Sequence, residues 1–127
     1  MKILTILART LLGLIFVVFG FNGLFHFIPM PPPPPGSPAA LFFTAVSTTG
    51  YMKVVFLFQI IGGLLLLLNL LPVLGLVILC PIIFNIVLFH LTMAPSGLPL
   101  AGVVAVLALF LIGMYWDHYH HLVRQPR

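Results

Sequence analysis

Apolar residues run along this chain in four long blocks, broken by prolines, glycines and a few isolated polar positions. The blocks cover roughly residues 9–28, 52–70, 73–93 and 99–117, and each approaches the ~20 mainly apolar residues that a membrane-spanning helix requires. The pattern predicts an all-α fold: an integral membrane, antiparallel four-helix bundle formed by residues 1–127 as one domain, with a single substantial connection, an outer loop over 29–51. Within that loop, "PMPPPPPGSP" has too few amide donors for an α-helix and predicts a polyproline II rod advancing about 3 Å per residue. A proline run can dock an SH3 or WW domain, but on the outer face of a membrane protein it reads as a rigid spacer. "SPAALFFTAVSTTG" then predicts a short interfacial helix, capped at Ser37 with Pro38 in its first turn and ending near Gly50. Its expected apolar face is Leu41, Phe42, Ala45 and Val46, suited to the membrane interface or to covering the bundle.

Pro72 suits the start of the third span, "APSGLP" predicts a tight turn into the fourth, and Pro81 is expected to kink the third. Small residues mark where helices can approach closely: Gly13, Gly20 and Gly23 in the first span, Gly62 and Gly63 in the second, Ala101, Ala105 and Ala108 in the fourth.

Composition removes the soluble alternatives. Hydrophobic residues make up 62% of the chain and charged residues 5%, with a mean hydropathy of +1.30, so the expected solvent is a lipid bilayer. The net charge of +4 comes from Lys2, Arg9, Lys53, Arg124 and Arg127. These are too scattered to form a phosphate-binding face, which argues against a nucleic-acid partner. Cys80 is the lone cysteine, which excludes thiol–disulfide shuttling within the chain. The N-terminal apolar run lacks a small-x-small cleavage site after Phe19 and reads as an uncleaved anchor. Lys2 and Arg9 precede the first span and Arg124 and Arg127 follow the last, whereas the other side carries only Lys53. Both termini are therefore expected in the cytoplasm, with Tyr115, Trp116 and Tyr119 at the inner interface.

Five polar side chains interrupt the spans: Asn22, His26, Gln59, Asn85 and His90. Counting 1.5 Å of rise per residue places Asn22 and Gln59 about 10 Å below the outer edge, Asn85 about 12 Å, His90 about 5 Å and His26 only a few ångströms. All five fall in the outer half. Asn22 and His26, four residues apart, share a helix face, whereas Asn85 and His90 do not. Asn and Gln in such spans commonly serve as interhelical hydrogen-bond fasteners, each contributing about 0.6 kcal/mol, and the histidines can bond to backbone or water at the interface. The alternatives are hydrogen bonds to a quinone carbonyl, or ligation of a tetrapyrrole (haem or chlorophyll) by a neutral imidazole. Spacing alone does not separate these readings.

"DHYHH" at 117–121 also invites a metal, because Asp117 and His121 are four apart with His118 and His120 beside them. The tract lacks an established ligand signature and adjoins a membrane edge where charged residues are expected, so no metal site is assigned.

"FVVFGFNGLFHFIPMPPPPPGSPAA", "IIGGLLLLLN" and "PIIFNIVLFHLTMAPSGLP", in this order and spacing, resemble the DoxX family of small four-helix bacterial membrane proteins over nearly the whole chain. The resemblance implies a four-span bundle in the cytoplasmic membrane and, for some relatives, a place in membrane oxidoreductase complexes such as quinone-linked thiosulfate oxidation. Similar sequences often carry Glu at the position of Gln59, Arg at Leu70, Glu at Ala108 and Arg at Trp116, while Asp117 is retained and is the only acid here. Gln59 cannot titrate, so proton transfer coupled to quinone chemistry would rest on the histidines. The expected function is a non-catalytic accessory subunit of a larger respiratory or photosynthetic electron-transfer complex, with other membrane subunits as partners. Membership of a quinone-reactive oxidoreductase is the alternative. A solute carrier has little support without an internal repeat or a broken helix pair.

Overall fold

The computed structural model describes residues 2–123, with side chains to His120, and is helical throughout its ordered elements. The elements are α1 (Lys2–Phe25), α2 (Pro38–Thr48), α3 (Tyr51–Leu67), α4 (Pro72–Thr92), a 3-10 turn (Pro95–Gly97), α5 (Leu98–Met114) and α6 (Trp116–Val123). Arg124 and Arg127, half of the charge argument for orientation, lie outside the described residues.

Three helical segments are long and apolar enough to cross a membrane: Lys2–Phe25, Pro72–Thr92 and Pro95–Met114. The second predicted span is different. α3 has 17 residues, a rise of about 26 Å against a hydrocarbon layer of about 30 Å. It reaches spanning length only together with α2, from which it bends by 84°. The helix was expected to continue to residue 70 but ends at Leu67, because Asn69 turns into the left-handed region at φ 53°, a conformation that asparagine tolerates better than most residues. The Asn69 and Leu70 amides then bond to the carbonyls of Leu66 and Leu65, closing the helix end.

α1, α3, α4 and α5 pack in that cyclic order, with α1 against α5 completing the ring. The α1/α3 pair runs antiparallel. A Cβ on Gly13 would lie 2.7 Å from the Gly63 carbonyl oxygen and the Leu67 nitrogen, whereas one on Gly20 or Gly23 would meet Ile60 or Phe56, further back along α3. A Cβ on Gly63 would lie 2.9 Å from the Gly13 oxygen, and one on Gly75 2.9 Å from the Gly62 oxygen. Adjacent glycines thus thin α3 on two sides, toward α1 and toward α4, and backbone meets backbone at both crossings. From α5, Ala101 and Ala108 are buried with Val104 and Leu111, and Leu12, Phe16, Leu66, Leu76 and Leu79 fill the centre.

α2 forms as its sequence dictates: the Ser37 hydroxyl accepts from the Ala40 amide, Pro38 opens the helix, and Gly50 takes φ 78° at the bend. Its packed face is the expected one only in part, through Phe42 and Val46. Leu41 and Ala45 are exposed, whereas Ala39 and Val46 are buried and Phe42 and Phe43 stack around Phe89 of α4 at 5.2 and 5.3 Å between ring centroids.

Arg9, expected as an orienting charge ahead of the first span, is instead buried inside α1 and only 9% exposed. Its Nη1 donates to the Leu66 carbonyl and, at 3.3 Å, to the Leu67 carbonyl. A guanidinium therefore closes the negative end of the α3 dipole. Tyr119, expected at the inner interface, is buried within the chain at the level where α4 begins, and its hydroxyl donates to the Val73 carbonyl at 2.7 Å, folding α6 back onto α4. Burial, with lesser contributions from Cys80 and Tyr115, pushes its phenol up to about 12.

Gly63→Ala is expected to lower stability in detergent by about 1–3 kcal/mol, because the added methyl meets backbone rather than a movable side chain. Gly102→Ala, whose Cβ enters open space, should be neutral or slightly stabilising through helix propensity; equal thermal shifts for the two variants would contradict the close crossing. Arg9→Met should cost about 1–2 kcal/mol, since it orphans the Leu67 carbonyl while Leu66 keeps the Asn69 amide. The Tyr119 phenol favours its neutral form when folded, so its contribution is complete below the unfolded value of about 10 and is lost as pH rises toward about 12. Alkaline unfolding of Tyr119→Phe should lack that component.

Candidate functional site

At the end of the helices where the proline loop lies, a cavity of about 630 Å³ opens between α1, α3, α4 and α5, with α2 across it. Its apolar wall includes Phe16, Phe19, Phe56 and Val104. Four of the five predicted polar residues line it: Asn22 and His26 from α1 and its exit, Gln59 from α3 and His90 from α4. Two further polar residues join them, Ser47 from α2 and Lys53 from α3.

The four are held differently. Asn22 is buried, and its Oδ1 accepts the Ile28 amide at 2.6 Å, pinning the chain as it leaves α1. His26 is the residue at which α1 stops. It takes φ 55°, its amide bonds to the Asn22 carbonyl at 2.7 Å, and its ring stands at the exposed rim of the cavity. The His90 ring lies at 3.1 Å from the Ala94 carbonyl through Nδ1. A carbonyl only accepts, so Nδ1 carries the proton and Nε2 of the neutral ring is left as an acceptor. Gly97 makes room for this: a Cβ there would lie 2.3 Å from the imidazole. The "APSGLP" turn therefore orients a side chain as well as reversing the chain.

Gln59 is the exception in chemistry. The residue is only 6% exposed, it makes no hydrogen bond among the described residues, and its amide atoms stay accessible rather than sealed in the core. It faces the cavity, so one donor-and-acceptor group is presented to whatever fills that space. An occupant offering a polar atom can bond to it.

Asn85 stands apart. It is exposed, it is not among the residues lining the cavity, and its Nδ2 donates to the Pro81 carbonyl of its own helix at 2.9 Å. The expectation that Asn22, Gln59 and Asn85 fasten helices to one another is corrected: Asn22 holds the exit of its own helix, Asn85 bonds within α4, and Gln59 has no protein partner. Arg9 and Tyr119 make the long-range polar ties instead. Arg9 was legible in principle, because it shares the α1 face of Leu12, Gly13, Phe16 and Gly20, the buried residues.

At the far end, His120 Nδ1 lies 3.3 Å from the Trp116 carbonyl and the His118 ring contacts Tyr115. Among the described residues, no three of His, Cys, Asp and Glu come together; the His121 side chain lies outside those residues.

The lining of the cavity offers hydrogen-bonding groups and, in its two imidazoles, groups able to move a proton. It contains amide, imidazole, hydroxyl and ammonium groups but no carboxylate, and Asp117, the one acid in the chain, belongs to α6. Gly97→Val should displace the His90 ring, changing its NMR chemical shift while leaving helicity intact; an unmoved resonance would contradict the contact. No protein-family model, curated protein or solved structure matches this chain.

Proposed function

We propose that this chain is a DoxX-like, non-catalytic subunit of a larger membrane electron-transfer complex, and that its cavity holds an amphiphile such as a quinone or lipid. In this reading it crosses the bacterial cytoplasmic membrane as a four-span antiparallel bundle with both termini in the cytoplasm, α3 completing its crossing through the bend into α2. The apolar helices and their exposed Leu, Ile, Val and Phe side chains suit lipid and neighbouring membrane subunits. The assembly part of the reading rests on the resemblance of the three sequence motifs. The ligand part rests on one observation: Gln59 is largely buried, lines the cavity and has no hydrogen-bond partner among the described residues. Neutral residues at Gln59 and Ala108, both buried, avoid the desolvation cost of a carboxylate and leave the interior without an acid to relay protons.

Purification in mild detergent should yield co-migrating membrane subunits and a retained amphiphile. Gln59→Leu should reduce that retention about tenfold at unchanged helicity, the loss of one well-placed hydrogen bond in a site from which water is excluded. A chain that migrates alone and reduces quinone by itself overturns the subunit reading.

The orientation of His90 favours a second reading, a quinone-reactive oxidoreductase. With Nδ1 committed to Ala94, Nε2 is free to accept from a quinol hydroxyl, His26 is the other imidazole on the cavity, and Gln59 can orient a carbonyl. In that case His90→Ala abolishes quinone turnover while the fold survives, and unchanged turnover removes His90 from the mechanism. The tetrapyrrole variant is separated by absorption: a bound haem or chlorophyll gives a Soret band, and its absence from the purified complex excludes both.

A further inference from the structure

We infer that the occupant of this cavity is an anionic amphiphile, its negatively charged head at Lys53 and the first turn of α3, and its apolar body against Phe16, Phe19 and Phe56. The inference rests on the amphiphile-binding reading above and adds the charge and placement of the ligand.

Two independent features point to it. One is Gln59, a residue more than nine-tenths buried whose side chain lines the cavity without a hydrogen-bond partner among the described residues. It lies six residues beyond Lys53, about 9 Å further along α3. A head at Lys53 therefore puts Gln59 beside the ligand's interior, where an ester, carboxyl-adjacent or hydroxyl oxygen would satisfy it.

The other is the electrostatics of the rim. Helix N-termini favour acidic residues and destabilise cations by about 0.3–1 kcal/mol at the surface. α3 reverses this preference: its first turn has no acid and carries Lys53. Gly50 offers no side-chain cap to the α3 amides, and Gly97 offers none to α5. Met52 and Lys53 from the first of these helix starts and Leu100 and Ala101 from the second all line the cavity. The amide end of α3 and an ammonium thus meet at one opening; the start of α5 adds no free amide, because the Leu98 amide bonds to the Pro95 carbonyl and Pro99 has none. The carbonyl ends of α1 and α4 reach the same opening, but the titratable groups they bring are His26 and His90, neither of them acidic. Among the described residues Lys53 has no carboxylate to pair with, because Asp117 sits on α6 beside α5 at the opposite end. An anion entering here gains the ammonium and free amides without displacing a protein partner.

The apolar wall requires that this anion bring a hydrocarbon body, which excludes free phosphate or sulfate as the natural occupant. A volume of about 630 Å³ falls in the range of a single small-molecule site, about 300–1,000 Å³. An acyl carboxylate and a phospholipid phosphate share the required chemistry.

The test uses the full chain in phosphatidylcholine nanodiscs, with native mass spectrometry and titration of palmitate, phosphatidylglycerol and a neutral decyl-quinone. One or both anions should bind at least about tenfold more tightly than phosphatidylcholine, and Lys53→Met should remove that preference, lowering anion affinity far more than decyl-quinone affinity. Preference for palmitate identifies a carboxylate head, and preference for phosphatidylglycerol a phosphate. Lys53 is exposed, so its replacement should leave the fold intact, as circular dichroism would show. Equal affinity for anionic and zwitterionic probes, or an anion preference that survives Lys53→Met, overturns the inference. If decyl-quinone binds and is lost in Gln59→Leu while anions show no preference, only this inference falls; if no amphiphile binds, the reading of the cavity falls with it.

Discussion

The constraint on which the fold depends is the thickness of α3 at residues 62 and 63. Gly63 lies against the Gly13 backbone on one side, and Gly62 lies against that of Gly75 on the other. In a lipid-like surrounding, helices gain little from hiding apolar side chains, so close dispersion contact between backbones becomes the dominant attraction. Because α3 touches both neighbours through hydrogen atoms rather than side chains, α1 and α4 can both close on a helix of only 17 residues. Leu12, Leu66, Leu76 and Leu79 then fill the space beside the crossings.

This tight waist has a consequence at each end. Below it, Arg9 reaches across the α1/α3 seam to the final carbonyls of α3, so the α3 terminus is satisfied by a cation without a buried carboxylate. The two carbonyls offset part of the cost of burying the guanidinium, and the guanidinium in turn answers carbonyls that every helix leaves open. Above it, the helices separate around larger residues, with Phe56 against Gly23 and Ile60 against Gly20, and the cavity opens there. The glycine crossings and the cavity are thus two parts of one packing solution, held close at one level and apart at another.

The polar residues of the cavity have unequal duties. Asn22 and His90 are committed to the backbone, at Ile28 and Ala94, and they shape the loops that border the opening. Gln59 and Lys53 lack such commitments among the described residues, and they are the groups left for a ligand. The structural and ligand-facing roles that the sequence pattern left undivided are therefore separated by hydrogen bonding.

Helical class, the apolar blocks, the Ser37-capped helix, the turn at 94–99 and the small residues that permit close approach were all determined by local sequence, because periodicity, capping and missing amide donors act within a few residues. Depth counting also gathered Asn22, His26, Gln59 and His90 at one level, since helix rise is constant. Other features belonged to the tertiary structure alone. The turn at Asn69 shortened α3, the azimuth of Asn85 excluded it from the cavity, and the seam at α3 converted Arg9 from an expected orienting charge into a helix cap. Each depends on what a neighbouring helix presents at a given depth and angle. A one-dimensional pattern states how far along a helix a residue lies, whereas only packing decides which partner, if any, is waiting there.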